Sequence, residues 1–138
     1  MFNSRLKDKH HIIRYCKPKH YDCYKKEITN PDAFALRDGE KYLSCFWKEY
    51  YKKFPLENIY KEALNNNLTP NKKGGFTVIS VGKIKEIGKK NNLSDIEIRH
   101  LKLIRSYSGI HKTTNDYKFL RELVLISTEN YNVTDIQD

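Results

Sequence analysis

Glycine, proline and cysteine are all sparse in this chain of 138 residues: six, four and three, with a single Trp and a single Met. The few glycines build no phosphate-binding loop. Gly74-Gly75 is not followed by the Lys-Ser/Thr of a P-loop, and no GxGxxG occurs. HExxH, EF-hand and nucleophile-elbow patterns are absent too. No apolar run reaches membrane-spanning length, and no charged n-region followed by an apolar h-region opens the chain. A cytoplasmic protein with no membrane partner is therefore expected, and the odd cysteine count points to reduced thiols. There is no internal repeat. The length predicts one domain over residues 1–138, with 1–9 and 128–138 as loose tails.

Basic residues are abundant. Lys and Arg number 26 against 17 Asp and Glu, a formal charge of +9. Such an excess points to nucleic acid or another polyanion as partner, or else reflects only a Lys-rich, Asn-rich composition. Hydrophobic content of 38% with 12% aromatic residues is that of a globular chain.

The central stretch 33–54 predicts a hairpin running into a helix. Asp38-Gly39 suits a type I′ turn, which would pair Arg37 with Glu40, Leu36 with Lys41 and Phe34 with Leu43. Ser44 would cap a helix bearing Trp47, Tyr50, Tyr51 and Phe54 on one stripe. The expected fold is α+β, a small, mainly antiparallel sheet with helices packed on one face. Strands are predicted near 11–16, 33–37, 40–44 and 76–82. Residues 96–100 form a further candidate, where alternation competes with a capping box at Ser94–Glu97. Helices are predicted near 46–54, 56–65 and 116–126, the last capped by Asp116. A short helical turn is expected around Ile84 and Ile87, and a polar loop over 65–75. The predicted core holds Phe34, Leu36, Leu43, Trp47, Tyr50, Tyr51, Ile59, Val78, Leu120 and Leu123.

Four constellations bear on chemistry. Cys16-x3-His20-x2-Cys23 offers three metal-capable side chains but no fourth at a set spacing, so neither metal nor cofactor is expected. Cys45, at the start of the predicted helix, would have its thiol pKa lowered by the dipole, although a packing role suits it better. Lys17, Lys19, Lys25 and Lys26, interleaved with Tyr21 and Tyr24, form a candidate strip for phosphates and bases. His11, Arg14, Glu40 and Glu49 are the catalytic candidates, since a Glu with a His can serve acid–base work. On a regular strand His11 and Arg14 point to opposite faces. Arg14 and Arg37 are arginines in a Lys-rich chain, which suggests a need for the planar fork. Arg37 has Glu40 as a local partner and reads as structural. Arg14 has none and reads as functional.

The segments His11-x-x-Arg14-Tyr15, Ala33-Phe34-x-Leu36-Arg37-x-x-Glu40 and Leu43-Ser44-x-x-Trp47-x-Glu49-Tyr50 together resemble a family of small, largely uncharacterised bacterial proteins. Ser106-x-Ser108-Gly109-Ile110 is a weaker match. The chain departs from the pattern at Tyr107, where the family often has His, and at His100-Leu101-Lys102, where an Asp-Pro pair often follows the His. The resemblance implies an accessory protein of a mobile-element or defence gene cluster. The expected function is thus a small basic binding protein docking on a protein or nucleic-acid partner. The alternative is a small enzyme, ADP-ribosyltransferase-like or a nuclease, using the His/Arg/Glu group.

Overall fold

The computed structural model describes residues 2–65, 68–101 and 104–136. Among them are strands β1 (Phe2–Arg5), β2 (His11–Cys16), β3 (Tyr21–Asp22), β4 (Glu27–Ile28), β5 (Tyr42–Trp47), β6 (Gly75–Ser80), β7 (Glu97–Leu101), β8 (Tyr107–His111) and β9 (Glu129–Asn132). The helices are α1 (Leu56–Asn65), α2 (Val81–Lys90) and α3 (Tyr117–Leu125). Seven strands form one antiparallel sheet in the order β1-β7-β8-β5-β2-β6-β9, and β3 pairs with β4 as a separate hairpin. The fold is α+β, as expected.

Alternation along β2 sorts the core. Ile12 and Cys16 face one side with Cys45 and Ile79, and Ile13 faces the other with Phe46 and Val78. Helices α2 and α3 cover the first side through Val81, Ile84, Ile87, Phe119, Leu120 and Leu123. Helix α1 covers the second through Leu56, Ile59 and Ala63. The expectation that the helices, 56–65 and 116–126 among them, pack on one face is corrected: α2 and α3 cover one side and α1 the other, because the seven-stranded sheet has an apolar surface on both sides. Each fully buried Ile or Leu contributes about 1.5–3 kcal/mol. The starts of α2 and α3 are capped locally: Ser80 Oγ accepts from the Lys83 N–H at 3.2 Å, and Asp116 accepts from the Lys118 N–H at 3.4 Å.

The central stretch differs from its prediction. Residues 33–37 form no strand, because Pro31–Phe34 is a 3-10 turn whose Asn30 cap accepts from the Asp32 N–H. A turn does form at Asp38-Gly39, closed by the Glu40 N–H on the Arg37 carbonyl at 3.0 Å. Only Gly39 has a positive φ, of 83°, where a type I′ turn needs two such residues; the pattern is that of type II. The pairs Leu36–Lys41 and Phe34–Leu43 are therefore not made. The following strand runs on to Trp47, and a 3-10 turn at Lys48–Tyr50 stands where the helix 46–54 was expected. The cause is tertiary. Backbone groups of 42–47 find partners on β8 and, at Phe46 and Trp47, on β2. The helical stripe is broken up accordingly: Tyr50 and Phe54 are exposed, and Trp47, Tyr51 and Leu36 are only partly buried.

Both tails are partly structured. β1 pairs with β7, and β9, in the predicted loose tail, pairs with β6 and leads to buried Val133. The turn expected at Ile84 and Ile87 is a ten-residue helix. Strand β8 had no counterpart in the prediction, while β7 resolves the conflict at 96–100 in favour of strand. Met1, residues 66–67 of the predicted loop, Lys102 and residues 137–138 of the tail lie outside the described residues.

Candidate anion-binding cleft

Strands β2 and β5 pair only at Ile12↔Trp47 and Ile13↔Phe46. Beyond that point they part, and Arg14 spans the gap. Its Nε donates to the Ala33 carbonyl and its Nη1 to the Ser44 carbonyl, both at 2.7 Å. Both acceptors are neutral. Among the described residues Arg14 forms no ion pair with a carboxylate. Burial lowers its pKa from the ordinary arginine value, yet a guanidinium remains charged in any protein environment. The neighbouring thiols supply no counter-charge: burial pushes Cys16 and Cys45 up to about 12, so both stay protonated.

The gap opens into a cleft of about 700 Å³. Among the described residues Lys17, Lys19 and Arg37 line it with Arg14, against one carboxylate, Asp32, while Glu40 acts on Arg14 from outside the lining. Its walls carry Tyr15, Tyr42, Phe46 and Tyr107, with Ala63 of α1 beyond them. These rings are held in place. Tyr107 meets Phe46 edge-on with centroids 6.1 Å apart, and Tyr42 stacks on His111 at 5.2 Å. Tyr107 is bonded to the Ser44 side chain, and its hydroxyl lies 3.4 Å from that of Tyr42; burial raises its pKa. Gly109 is required beneath Tyr42, because a Cβ there would lie 2.6 Å from the ring. Tyr15 accepts from the Asn71 N–H at 2.8 Å, and burial raises its pKa as well. The chemical character of the cleft is thus cationic at its rim and floor and aromatic along its walls.

A second cavity, about 670 Å³, lies beside α2 and is lined by charges of both signs. Two of its cations are paired there, Arg5 with Glu97 at 3.0 Å and Lys85 with Asp8 at 2.9 Å, and four carboxylates line it in all. It offers much less to an anion than the Arg14 cleft does.

The other residues singled out in the sequence are dispersed. Tyr24 is 89% exposed beside exposed Lys25, in the turn joining β3 to β4. Lys26, in the same turn, pairs with Asp135 at 3.0 Å. Tyr21 is only 4% exposed; its hydroxyl donates to Asn132 and its ring packs over Gly75. The stacking role expected of Tyr21 is corrected on that ground, since neither ring face is open. His11 Nδ1 lies 2.7 Å from Glu49 Oε2, and the His11 N–H donates to Glu49 Oε1. Arg14 is on the opposite face of β2, about 10 Å further along. Glu40 accepts the Arg37 N–H at 2.7 Å, while the Arg37 side chain is 71% exposed and 3.9 Å from that carboxylate. Arg37 is no half of a buried pair, and His11, Arg14, Glu40 and Glu49 do not converge. Cys45 sits in mid-strand, away from any helix dipole. No group of three or more His, Cys, Asp or Glu suited to a metal occurs among the described residues.

Tyr15, Tyr42, Ser44, Phe46 and Tyr107 were not anticipated as site residues. The signal for three of them was present, since Tyr42, Ser44 and Phe46 alternate with Leu43, Cys45 and Trp47 as on a two-sided strand. Among the described residues no helix is long and apolar enough to cross a membrane. No protein-family model, curated protein or solved structure matches this chain.

Proposed function

We propose that the chain is a small basic binding protein for single-stranded nucleic acid. In this reading the Arg14 cleft grips phosphate and its aromatic walls receive a base. One observation carries it: among the described residues, a half-buried guanidinium bonded only to neutral carbonyls lies in a cleft with three more cations and one carboxylate. Burying an unpaired charge is costly unless something offsets it, and an anionic ligand would do so. The tyrosines favour nucleic acid over an acidic peptide, because every base has a face that stacks on an aromatic ring. Exposed Tyr24 and Lys25 extend the same chemistry to the β3–β4 turn. Binding is favoured over catalysis because the His11–Glu49 pair belongs to a different part of β2. A binding role also fits the accessory character that the family resemblance implies.

The test is fluorescence anisotropy with a labelled single-stranded oligonucleotide of about twelve nucleotides, a length within the usual footprint of one small domain. Tight binding at low salt that falls steeply at moderate salt supports the reading. Replacing exposed Lys17 and Lys19 by Gln should weaken it without affecting the fold. Absence of binding at low salt, or equal binding to polyglutamate, refutes it.

A further inference from the structure

The shape of the cleft restricts how a strand could use it. The ladder through Ile12↔Trp47 and Ile13↔Phe46 closes its inner end, and the Arg14 side chain bridges the two strands where they part. Ala63 of α1 stands on one side. The exposed residues Lys17, Lys19 and Arg37 mark the way in. A volume of about 700 Å³ is the size of an enclosed small-ligand site. It suits one nucleotide rather than a strand passing through.

Charge narrows the ligand further. An internal phosphodiester carries one negative charge, whereas a terminal phosphate monoester carries about −1.5 to −2 near neutral pH. Four cationic side chains against one carboxylate match the monoester better. Two of the five N–H groups of Arg14 are committed to the Ala33 and Ser44 carbonyls, which leaves the others for the oxygens of a terminal phosphate.

Resting on the nucleic-acid reading above, we infer that the cleft recognises a phosphorylated strand end. The terminal phosphate lies against Arg14, the terminal nucleoside against the partly exposed rings of Tyr15 and Tyr107, and the remaining strand leaves past Lys17 and Lys19. The ligand class is then a nucleic acid with a terminal monoester, and a nucleoside monophosphate is its minimal form.

The experiment compares four labelled probes of one sequence at a single moderate salt: 5′-phosphorylated, 3′-phosphorylated, unphosphorylated and covalently circular. One phosphorylated end should bind about tenfold tighter than the unphosphorylated strand and the circle, the equivalent of one charge-assisted hydrogen bond. Arg14→Lys should weaken the phosphorylated probe by more than the unphosphorylated one. Because Arg14 also bonds to two backbone carbonyls, a second measurement uses the unmodified protein. A nucleoside monophosphate should displace the phosphorylated probe, and the matching nucleoside should not. Equal affinity for all four probes overturns end recognition and leaves strand binding intact. Failure of the monophosphate to compete also overturns it. Failure of every probe to bind, both at that salt and when the comparison is repeated at low salt, overturns both readings.

Discussion

Arg14 donates to the Ser44 carbonyl at 2.7 Å at the point where β2 and β5 stop pairing. A side chain thus takes over an acceptor that the neighbouring strand no longer reaches. The same guanidinium sits on the floor of the cleft, so one residue both closes the sheet and charges the site. Its structural share is readable from the bonds.

Arg37 should behave in the opposite way. Its side chain is 71% exposed and its contact with Glu40 is long, so Arg37→Ala should change unfolding free energy by about 0.5 kcal/mol or less. Its place on the cleft rim predicts a measurable loss of oligonucleotide affinity in the same variant. Urea denaturation read beside anisotropy checks both; a stability loss of core-deletion size would contradict the surface assignment.

Glu62 should be among the costliest positions to truncate. This buried carboxylate of α1 accepts from the Tyr51 hydroxyl and from both the N–H and the hydroxyl of Ser106, at 3.1 and 2.8 Å. It ties α1 to the turn before β8 and to the segment after β5. Glu62→Ala leaves those donors unpaired and should destabilise by about 3 kcal/mol or more. Chemical denaturation measures this, and a shift below about 1 kcal/mol would mean that water replaces the carboxylate at little cost.

The thiols should differ in reactivity. Cys16 and Cys45 are buried, with pKa values pushed up to about 12, whereas Cys23 is partly exposed. Because the thiolate is the reactive form, a neutral-pH alkylating reagent should label Cys23 alone in the folded protein and all three after denaturation. Peptide mapping by mass spectrometry identifies the labelled residue.

Mild acid should weaken the fold. Burial lowers the pKa of His20 below the ordinary histidine value, and His10 and His111 shift in the same direction for the same first cause. The unfolded chain therefore binds more protons than the folded one once the pH drops below about 6.5. Stability is fully present above that pH and is lost as pH falls through the window beneath it. The slope for buried His20 cannot exceed about 1.4 kcal/mol per pH unit. Melting temperatures from pH 7 downward should fall, and His20→Phe should fall less steeply; a pH-independent melting curve would count against a buried neutral His20.

Gly75 should not tolerate a side chain. A Cβ there would lie 2.3 Å from the Tyr21 ring, which is itself anchored through Asn132. Gly75→Ala should lower stability by about 1–3 kcal/mol, the usual cost of overpacking. Combining it with Tyr21→Ala should recover part of that loss, because the clashing ring is gone.

Where one local pattern stood unopposed, the sequence determined the outcome. HIIRYC and FTVIS alternate or run apolar in β-forming residues and are strands. Residues 56–65 repeat a helical stripe and are helix, and Asp116 caps the helix that follows it. Residues 42–54 carry two patterns at once, an alternation over 42–47 and a helical stripe through Trp47, Tyr50, Tyr51 and Phe54. Local preference cannot choose between them. The open hydrogen-bonding edges of β8 and β2 do, by taking the backbone of 42–47 into the sheet. The cleft is likewise a product of tertiary structure. Arg14 and Arg37 stood out as arginines among lysines, but the environment of Arg14 is made by carbonyls 19 and 30 residues away in the chain. Its bonding to carbonyls instead of a carboxylate depends on where two strands cease to pair, and that is set by the packing of the whole sheet.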